Sequence, residues 1–364
     1  MSPDPPARSG AASGAELVRQ PGEVVDPASG SLASTLGADE PTLAELAARL
    51  RCPVCQASVV KDPSGLRCAR DHTFDVTDGY LDASEGHAGR TTALSADTAR
   101  TFASFGYEWT TFSESREEDE DYADHYLRDL DTTRLSGSVG LDAGCGRGRY
   151  TRFLAPHLEA IVGLDGSDAV VSAARNLNQT TNAVVVRADL RHAPFADGSF
   201  GFIASFGVLH HLEDPRSGFD ALLRLLAPGG LLSLYLYSRP EQACARGFGL
   251  AAAAALRRLT VRLPHRILRP LCTPIAALLV LGIVVPGRVG DALGVGALSA
   301  LPMGTYRDKP FRSLELDTFD RLSAPIEHRF TWSELEPWFT ETGLVVDSAR
   351  DDSGWFIVAH RPGA

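Results

Sequence analysis

From residue 136 onward, short apolar runs alternate with stretches whose apolar residues recur at helical intervals. The runs fall at 138–143, 160–165, 183–187, 201–206, 230–237, 343–350 and 354–360. A run without polar alternation reads as a strand buried on both faces, and strands separated by helical segments build a parallel sheet covered by helices. The pattern predicts an α/β chain. A further helix is expected over 331–342, with Thr331 and Glu334 in capping-box positions. Ahead of 136 the pattern is weaker. Leu43, Leu46, Ala47 and Leu50 mark a short helix, and 85–135 reads as polar and helical, with the acidic run Glu114–Asp124 expected on a solvated face. Residues 1–42 are rich in Pro, Ala, Gly and Ser and are expected to be a disordered tail without a signal peptide.

Composition narrows the functional classes. A net charge of −11 over 364 residues excludes nonspecific DNA binding and disfavours RNA. Of six cysteines, three cluster with a histidine, which is metal-site usage in a reducing cytoplasm, not a disulfide framework. No apolar run reaches the roughly 20 residues of a membrane span. The nearest, Ile275–Val285, lies between Pro274 and Pro286 and reads as a buried or interfacial helix.

Two stretches carry chemistry. Residues 139–148, Val-Gly-Leu-Asp-Ala-Gly-Cys-Gly-Arg-Gly, end a buried strand in glycines at alternate positions. Such a turn lets a ligand lie on backbone N–H groups. The spacing is not the dinucleotide fingerprint, which would need glycine where Arg149 stands. The second stretch is Cys52-Pro-Val-Cys55, then Cys68 and His72, a C-x2-C-x12-C-x3-H spacing. Three thiolates and an imidazole complete a tetrahedral shell, as in structural zinc sites, with no position open for water.

The glycine run after Asp142 resembles motif I of the class I S-adenosylmethionine (SAM) methyltransferases, and four further segments follow in that family's order. They are Ile-Val-Gly-Leu-Asp165, Arg-Ala-Asp189-Leu190, the strand end Ser205 to Leu212, and Ala227-Pro-Gly-Gly-Leu231. The resemblance covers about 100 residues. It implies a Rossmann-like, doubly wound, seven-stranded sheet whose final pair of runs makes an antiparallel hairpin edge. It also implies that Asp142 orients the loop and reaches the methionyl amino group, that Gly144, Cys145 and Gly146 admit the methionine and ribose, and that Asp165 with Gly166 holds the ribose hydroxyls. Asp189 would accept from the adenine amino group between Ala188 and Leu190, Phe206 would belong to the cofactor site, and the aromatics of Phe105-Gly-Tyr107-Glu-Trp109, Tyr107 among them, would cover the cofactor or pack their helix on the core. His210 and His211 stand where a base would reach an acceptor, or form the pocket floor. The stretch Cys68–Tyr80 is similar to the zinc module of bacterial 23S rRNA guanine-N1 methyltransferases, although Asp62, Asp71, Asp75 and Asp78 oppose an RNA grip.

The expected layout is therefore a tail (1–42), a zinc-binding module (43–84), a linker that covers the cofactor (85–135), a SAM-binding core (136–240), a helical insertion (241–312) and the rest of the core (313–364). Gln242 to Gly290 holds no acidic residue but seven arginines, 246, 257, 258, 262, 266, 269 and 288, interleaved with apolar blocks. That composition suits a lid over a hydrophobic or anionic acceptor, a peripheral membrane contact through 246–288, or a homodimer face. The expected activity is methyl transfer to a small molecule, a secondary metabolite or lipid-like compound, with rRNA guanine-N1 methylation and a non-catalytic SAM-fold scaffold as alternatives. The expected location is the cytoplasm, with peripheral placement at the inner membrane surface.

Overall fold

The computed structural model describes residues 39–62, 65–77, 79–84, 94–112, 118–240 and 245–363. The expected tail falls almost wholly outside them. The chain begins with α1 (Glu40–Arg49) and four short strands, β1 (Val59–Asp62), β2 (Gly65–Cys68), β3 (Thr73–Thr77) and β4 (Tyr80–Asp82). Helices α2 (Ala96–Thr111) and α3 (Glu118–Leu127) lead into β5 (Val139–Ala143), α4 (Arg149–Leu154), β6 (Ala160–Asp165), α5 (Ala169–Asn176) and β7 (Ala183–Arg187). Then come β8 (Phe200–Phe206), α6 (Pro215–Leu225) and β9 (Leu226–Leu236). The insertion holds α7 (Ala245–Thr260), α8 (His265–Leu279), a π-helical turn (Val280–Val284), α9 (Val285–Leu293) and α10 (Gly296–Ser299). Helices α11 (Phe311–Ser323) and α12 (Trp332–Thr342) and strands β10 (Val345–Asp351) and β11 (Trp355–His360) close the chain.

The sheet runs β1-β2-β3-β4-β7-β6-β5-β8-β9-β11-β10. Strands β4, β7, β6, β5, β8 and β9 are mutually parallel. The β10–β11 hairpin joins β9 antiparallel. All seven apolar runs are strands, and the doubly wound α/β fold expected of them is the fold observed. The order reverses at β5: the chain goes from β5 outward through β6 and β7, then returns to β8 on the other side. Such a reversal leaves a crevice beyond the carboxyl ends of the two central strands, where ligands of open α/β sheets bind. Every residue of β5 is buried, so this centre is fixed by packing on both faces.

The N-terminal hairpins do not form a separate module. Strand β4 adds parallel to β7, with Tyr80 opposite Val185, Leu81 opposite Val186 and Asp82 opposite Arg187, which extends the sheet to eleven strands. Leu46, Cys52, Phe74 and Leu81 share one apolar core with Val184 and Phe195. The physical reason is edge protection: β7 would otherwise present a row of unpaired backbone groups.

The insertion corrects a second expectation. Pro274 and Pro286 do not bound the apolar segment. Helix α8, the π turn and α9 run on as one helix, His265–Leu293, 29 residues long. By length and composition alone it is long and apolar enough to cross a membrane, and only 22% of its most apolar window is buried. Pro286 lacks an N–H and its ring crowds the carbonyl four residues back. The π turn at Val280–Val284 sits on that carbonyl and lets the helix pass. Helix α11 also belongs with the insertion. Its Phe319 and Leu322 pack on Leu268 and Cys272 of α8, and the chain rejoins the sheet only at Phe330, bridged to Ser238.

Candidate active site

Residues 144–148 turn the chain out of β5 over the sheet crevice. Gly144 has φ +86°, and a Cβ there would lie 2.2 Å from Cγ2 of Val208, so a side chain is excluded on two counts. The N–H groups of Gly144 and Cys145 donate to the carbonyl of Leu164 at 2.6 and 3.0 Å, which ties the turn to β6. One step on, the Gly146 N–H donates to Oδ2 of Asp165 at 3.0 Å. The other carboxylate oxygen, Oδ1, accepts from the Ser167 N–H at 2.8 Å and from its hydroxyl at 2.6 Å. A carboxylate offers about four lone-pair directions. Three are taken within the protein, and Oδ2 keeps one for a ligand hydroxyl. Burial raises the Asp165 pKa, opposed by these donors.

A cavity of about 1200 Å³ opens over this turn. Gly144, Cys145, Gly146, Asp165, Gly166, Asp189, Leu190, Phe206 and His211 line it. Asp189 is held by Arg191, whose side chain grips both carboxylate oxygens and whose N–H donates at 2.9 Å. Four residues singled out from the sequence do not line it. Ala188 is buried behind the wall. Asp142 is buried inside the sheet, accepts from the Thr151 hydroxyl at 2.6 Å, and has its pKa pushed up to about 7 by burial. Tyr107 faces away from the cavity and packs on His265 and Phe319 at ring distances of 5.1 and 5.6 Å. On α2, Phe102, Phe105 and Trp109 line the cavity instead. They follow at three- and four-residue steps, whereas Tyr107 is turned about 200° from Phe105.

His210 is the fourth. It is fully buried, stacked on Tyr237 at 3.8 Å, and its Nδ1 accepts the Tyr237 N–H at 3.4 Å. Its Nε2 has no partner among the described residues, and burial holds its pKa well below the ordinary value. His211 differs. The Ile326 carbonyl lies 2.7 Å from its Nδ1, so that nitrogen carries the proton and Nε2 keeps a lone pair. Burial lowers its pKa, against the pull of Asp320, so the ring is neutral.

The far half of the cavity is built by the insertion. Its apolar wall comes from Leu250, Ala253 and Leu256 of α7 and from Ile275, Leu279 and Ile283 of the long helix. Asp317, Asp320 and Arg321 of α11 supply the polar wall. Tyr306 donates to Asp317, and Tyr237 donates to Asp320 Oδ2 at 3.1 Å. Asp320 Oδ1 is buried and has no partner among the described residues. Glu327 latches the wall by pairing with Arg257 of α7 at 3.0 Å and with Arg329 at 2.8 Å.

A buried ion cluster escaped sequence reading. Asp119 belongs to the run expected on a solvated face, yet its side chain is only 1% exposed. It pairs with Arg147 and, at 3.0 Å, with Arg149 of the glycine turn. Arg149 also lies over the Tyr122 ring at 4.5 Å. The available signal was an arginine inside a ligand turn, which needs a counter-ion once buried.

Away from this cavity, Cys52, Cys55, Cys68 and His72 bring their donor atoms within 4.8 Å of one another. Sγ of Cys55 and Cys68 are 3.6 Å apart, and His72 Nδ1 lies 3.4 Å from Cys52 Sγ and 3.3 Å from Cys68 Sγ. A tetrahedral zinc site has sulfur–sulfur edges of about 3.8 Å and sulfur–nitrogen edges of about 3.5 Å. The donor set and its spacing fit that ion. The Arg70 N–H, 3.4 Å from Cys68 Sγ, supports the thiolate.

Residues 141–234 match the family profile described as "Methyltransferase domain". Over these residues the chain is similar to a methyltransferase domain. The matched segment spans the strands that bear the glycine turn, Asp165, Asp189 and His211. Among curated relatives, a tRNA (carboxymethyluridine(34)-5-O)-methyltransferase of Saccharomyces cerevisiae is 31% identical over 119 residues, 32% of this chain and 41% of the relative. A phthiotriol/phenolphthiotriol dimycocerosates methyltransferase of Mycobacterium ulcerans is 29% identical over 154 residues, 42% of this chain and 56% of the relative. The chain thus spans about half the length of these relatives or less. Among solved structures, the 1,6-didemethyltoxoflavin-N1-methyltransferase of Burkholderia thailandensis, bound to S-adenosylhomocysteine, has a TM-score of 0.43 at 11% identity and covers 75% of this chain and 93% of its own.

Burial of Asp142 predicts a stability that depends on pH. A carboxyl whose pKa rises from 3.8 to about 7 on folding binds more protons folded than unfolded, so stability falls as pH rises through that window. The loss is at most about 4 kcal/mol. In thermal unfolding at pH 5 and pH 8, Asp142→Asn should flatten the difference shown by the parent chain. An unchanged slope would place the titration elsewhere.

Proposed function

We propose that this protein transfers the methyl group of SAM to an amphiphilic small molecule whose nucleophilic atom carries a proton, a hydroxyl or an amine. One observation carries the reading: a single cavity joins the glycine turn to a compartment with one apolar wall and one polar wall. Its volume exceeds the roughly 300–1000 Å³ that one small ligand occupies. SAM supplies a methyl group activated on a sulfonium. The protein's part is to align the two molecules and exclude water. Asp165 Oδ2 accepts from a ribose hydroxyl, and the edge of Leu190 together with Asp189 meets the adenine. Asp320 Oδ1 accepts from the acceptor and orients it. His211 Nε2 takes the proton as the methyl bond forms, which leaves a neutral methylated product, S-adenosylhomocysteine and an imidazolium. His210 supports the floor.

Cys52, Cys55, Cys68 and His72 are proposed to hold a structural Zn²⁺. Their sheet edge packs on β7 and lies apart from the lining of the cavity, so the ion braces the fold and takes no part in transfer.

RNA modification is the second reading. The name of the yeast relative favours it, as does the Cys3His cluster, which resembles an rRNA-gripping module. The charge of −11 and an acceptor wall built by apolar helices stand against it.

Incubation of the protein with methyl-labelled SAM and fractionated cell extract separates the readings. Label should enter the organic-solvent fraction and not RNA; label in RNA alone would overturn the proposal, and label in neither fraction would favour a non-catalytic fold. His211→Gln should lower kcat by about 10²–10⁴ while SAM affinity stays within twofold. A variant with full turnover would remove the histidine from the chemistry. For the metal, elemental analysis should find one zinc per chain, and Cys68→Ser should lose it and lower the unfolding midpoint. A metal-free chain of equal stability would end the zinc assignment.

A further inference from the structure

The long helix of the insertion has two apolar sides. Its inner side, with Leu268, Cys272, Ala276 and Val284, is buried against α11 or lies beside the cavity. Its outer side is bare. Ile267, Leu271, Leu278, Leu281, Val285, Val289 and Leu293 are all exposed, Leu278 at 71%, Leu281 at 68% and Leu293 at 72%. They recur at three-, four- and seven-residue steps, which is the spacing of one helix face. Leu259, exposed at 72%, extends the patch onto α7. Continuous exposed apolar stripes are rare on monomeric proteins and mark surfaces of interaction.

Charge says what covers it. Arg258, Arg262 and Arg266 stand exposed around the α7–α8 turn, beside Leu259 and Ile267. None of the three has an acidic partner among the described residues. The stretch 242–290 has no acidic residue, although the chain as a whole carries −11. Cations are thus concentrated at one end of an apolar helix face on an otherwise acidic protein. A negatively charged surface with an apolar interior matches that arrangement, and an anionic lipid bilayer has both.

We propose that the insertion docks the protein onto anionic membrane surfaces, with the outer face of residues 267–293 at the headgroup–acyl boundary and Arg258, Arg262 and Arg266 on the headgroups. The helix lies in the interface and does not span it, because its inner side is committed to α11 and to the cavity. Ile275, Leu279 and Ile283, which line the cavity, are then one helix thickness from the lipid, so an amphiphilic acceptor has a short path to the site. Docking does not require that acceptor, and the two are read by different experiments.

The test is flotation of the full chain with vesicles of phosphatidylcholine alone or with added phosphatidylglycerol, alongside calorimetric SAM binding. Binding to the anionic vesicles should exceed binding to neutral ones at least tenfold. It should fall at least tenfold in Arg258→Glu/Arg262→Glu/Arg266→Glu and in Leu278→Ser/Leu281→Ser, with SAM affinity unchanged in both. No vesicle binding by a chain that binds SAM would overturn docking and leave methyl transfer standing. A chain that binds vesicles but transfers no methyl group would do the reverse. Equal binding to neutral vesicles, retention that only detergent reverses, or a concentration-dependent dimer dispersed by the leucine substitutions would each overturn it, the last in favour of a second copy on the same face.

Discussion

The carboxylate of Asp165 is the contact on which the site depends. It ends β6 and receives the Gly146 N–H on one oxygen and two donors of Ser167 on the other. With the bonds from Gly144 and Cys145 to Leu164, it fastens the turn after β5 to the end of β6. Both strands are buried, so the backbone positions are set by the core, and the carboxylate fixes what lies above it. The cluster of Asp119 with Arg147 and Arg149 then holds the outer rim of the same turn from α3. A ligand meets a cradle already formed, and little ordering remains to oppose binding.

Much of this was legible in the residues. The seven runs without polar alternation became seven strands with ends shifted by at most a few residues, because strands buried on both faces have no other pattern. The glycines were legible for a steric reason, as at Gly144 against Val208. What stayed hidden depends on partners distant in sequence. Nothing in Tyr80-Leu81-Asp82 announces a parallel partner in β7, so the metal hairpins read as a separate module. Tyr107 and Trp109 are equivalent as aromatics, and only the rotation of α2 decides which meets the cavity. Asp119 read as surface because its neighbours are acidic, while its counter-ions lie 28 and 30 residues further on. Two prolines read as helix ends because a π turn is not encoded by any single residue.

The insertion gives the common fold its particular character. The core supplies the acidic and glycine residues proposed to hold the cofactor, whereas the insertion supplies apolar surface and arginines. Its long helix faces the cavity on one side and open surroundings on the other. Glu327, paired with Arg257 and Arg329, joins this layer to the loop that carries Ile326, and Ile326 sets the tautomer of His211. The insertion's wall of the cavity and the proposed base are therefore linked through one loop.

The nest around Asp165 is proposed to hold SAM. Titration calorimetry of SAM into the parent chain and into Asp165→Ala tests it, because the substitution removes both the acceptor left for a ligand hydroxyl and the bonds to Gly146 and Ser167 that form the nest. The parent chain should bind SAM, and the variant should bind it at least tenfold more weakly. Equal affinity in the two chains, or no binding by the parent, would contradict a SAM site at Asp165.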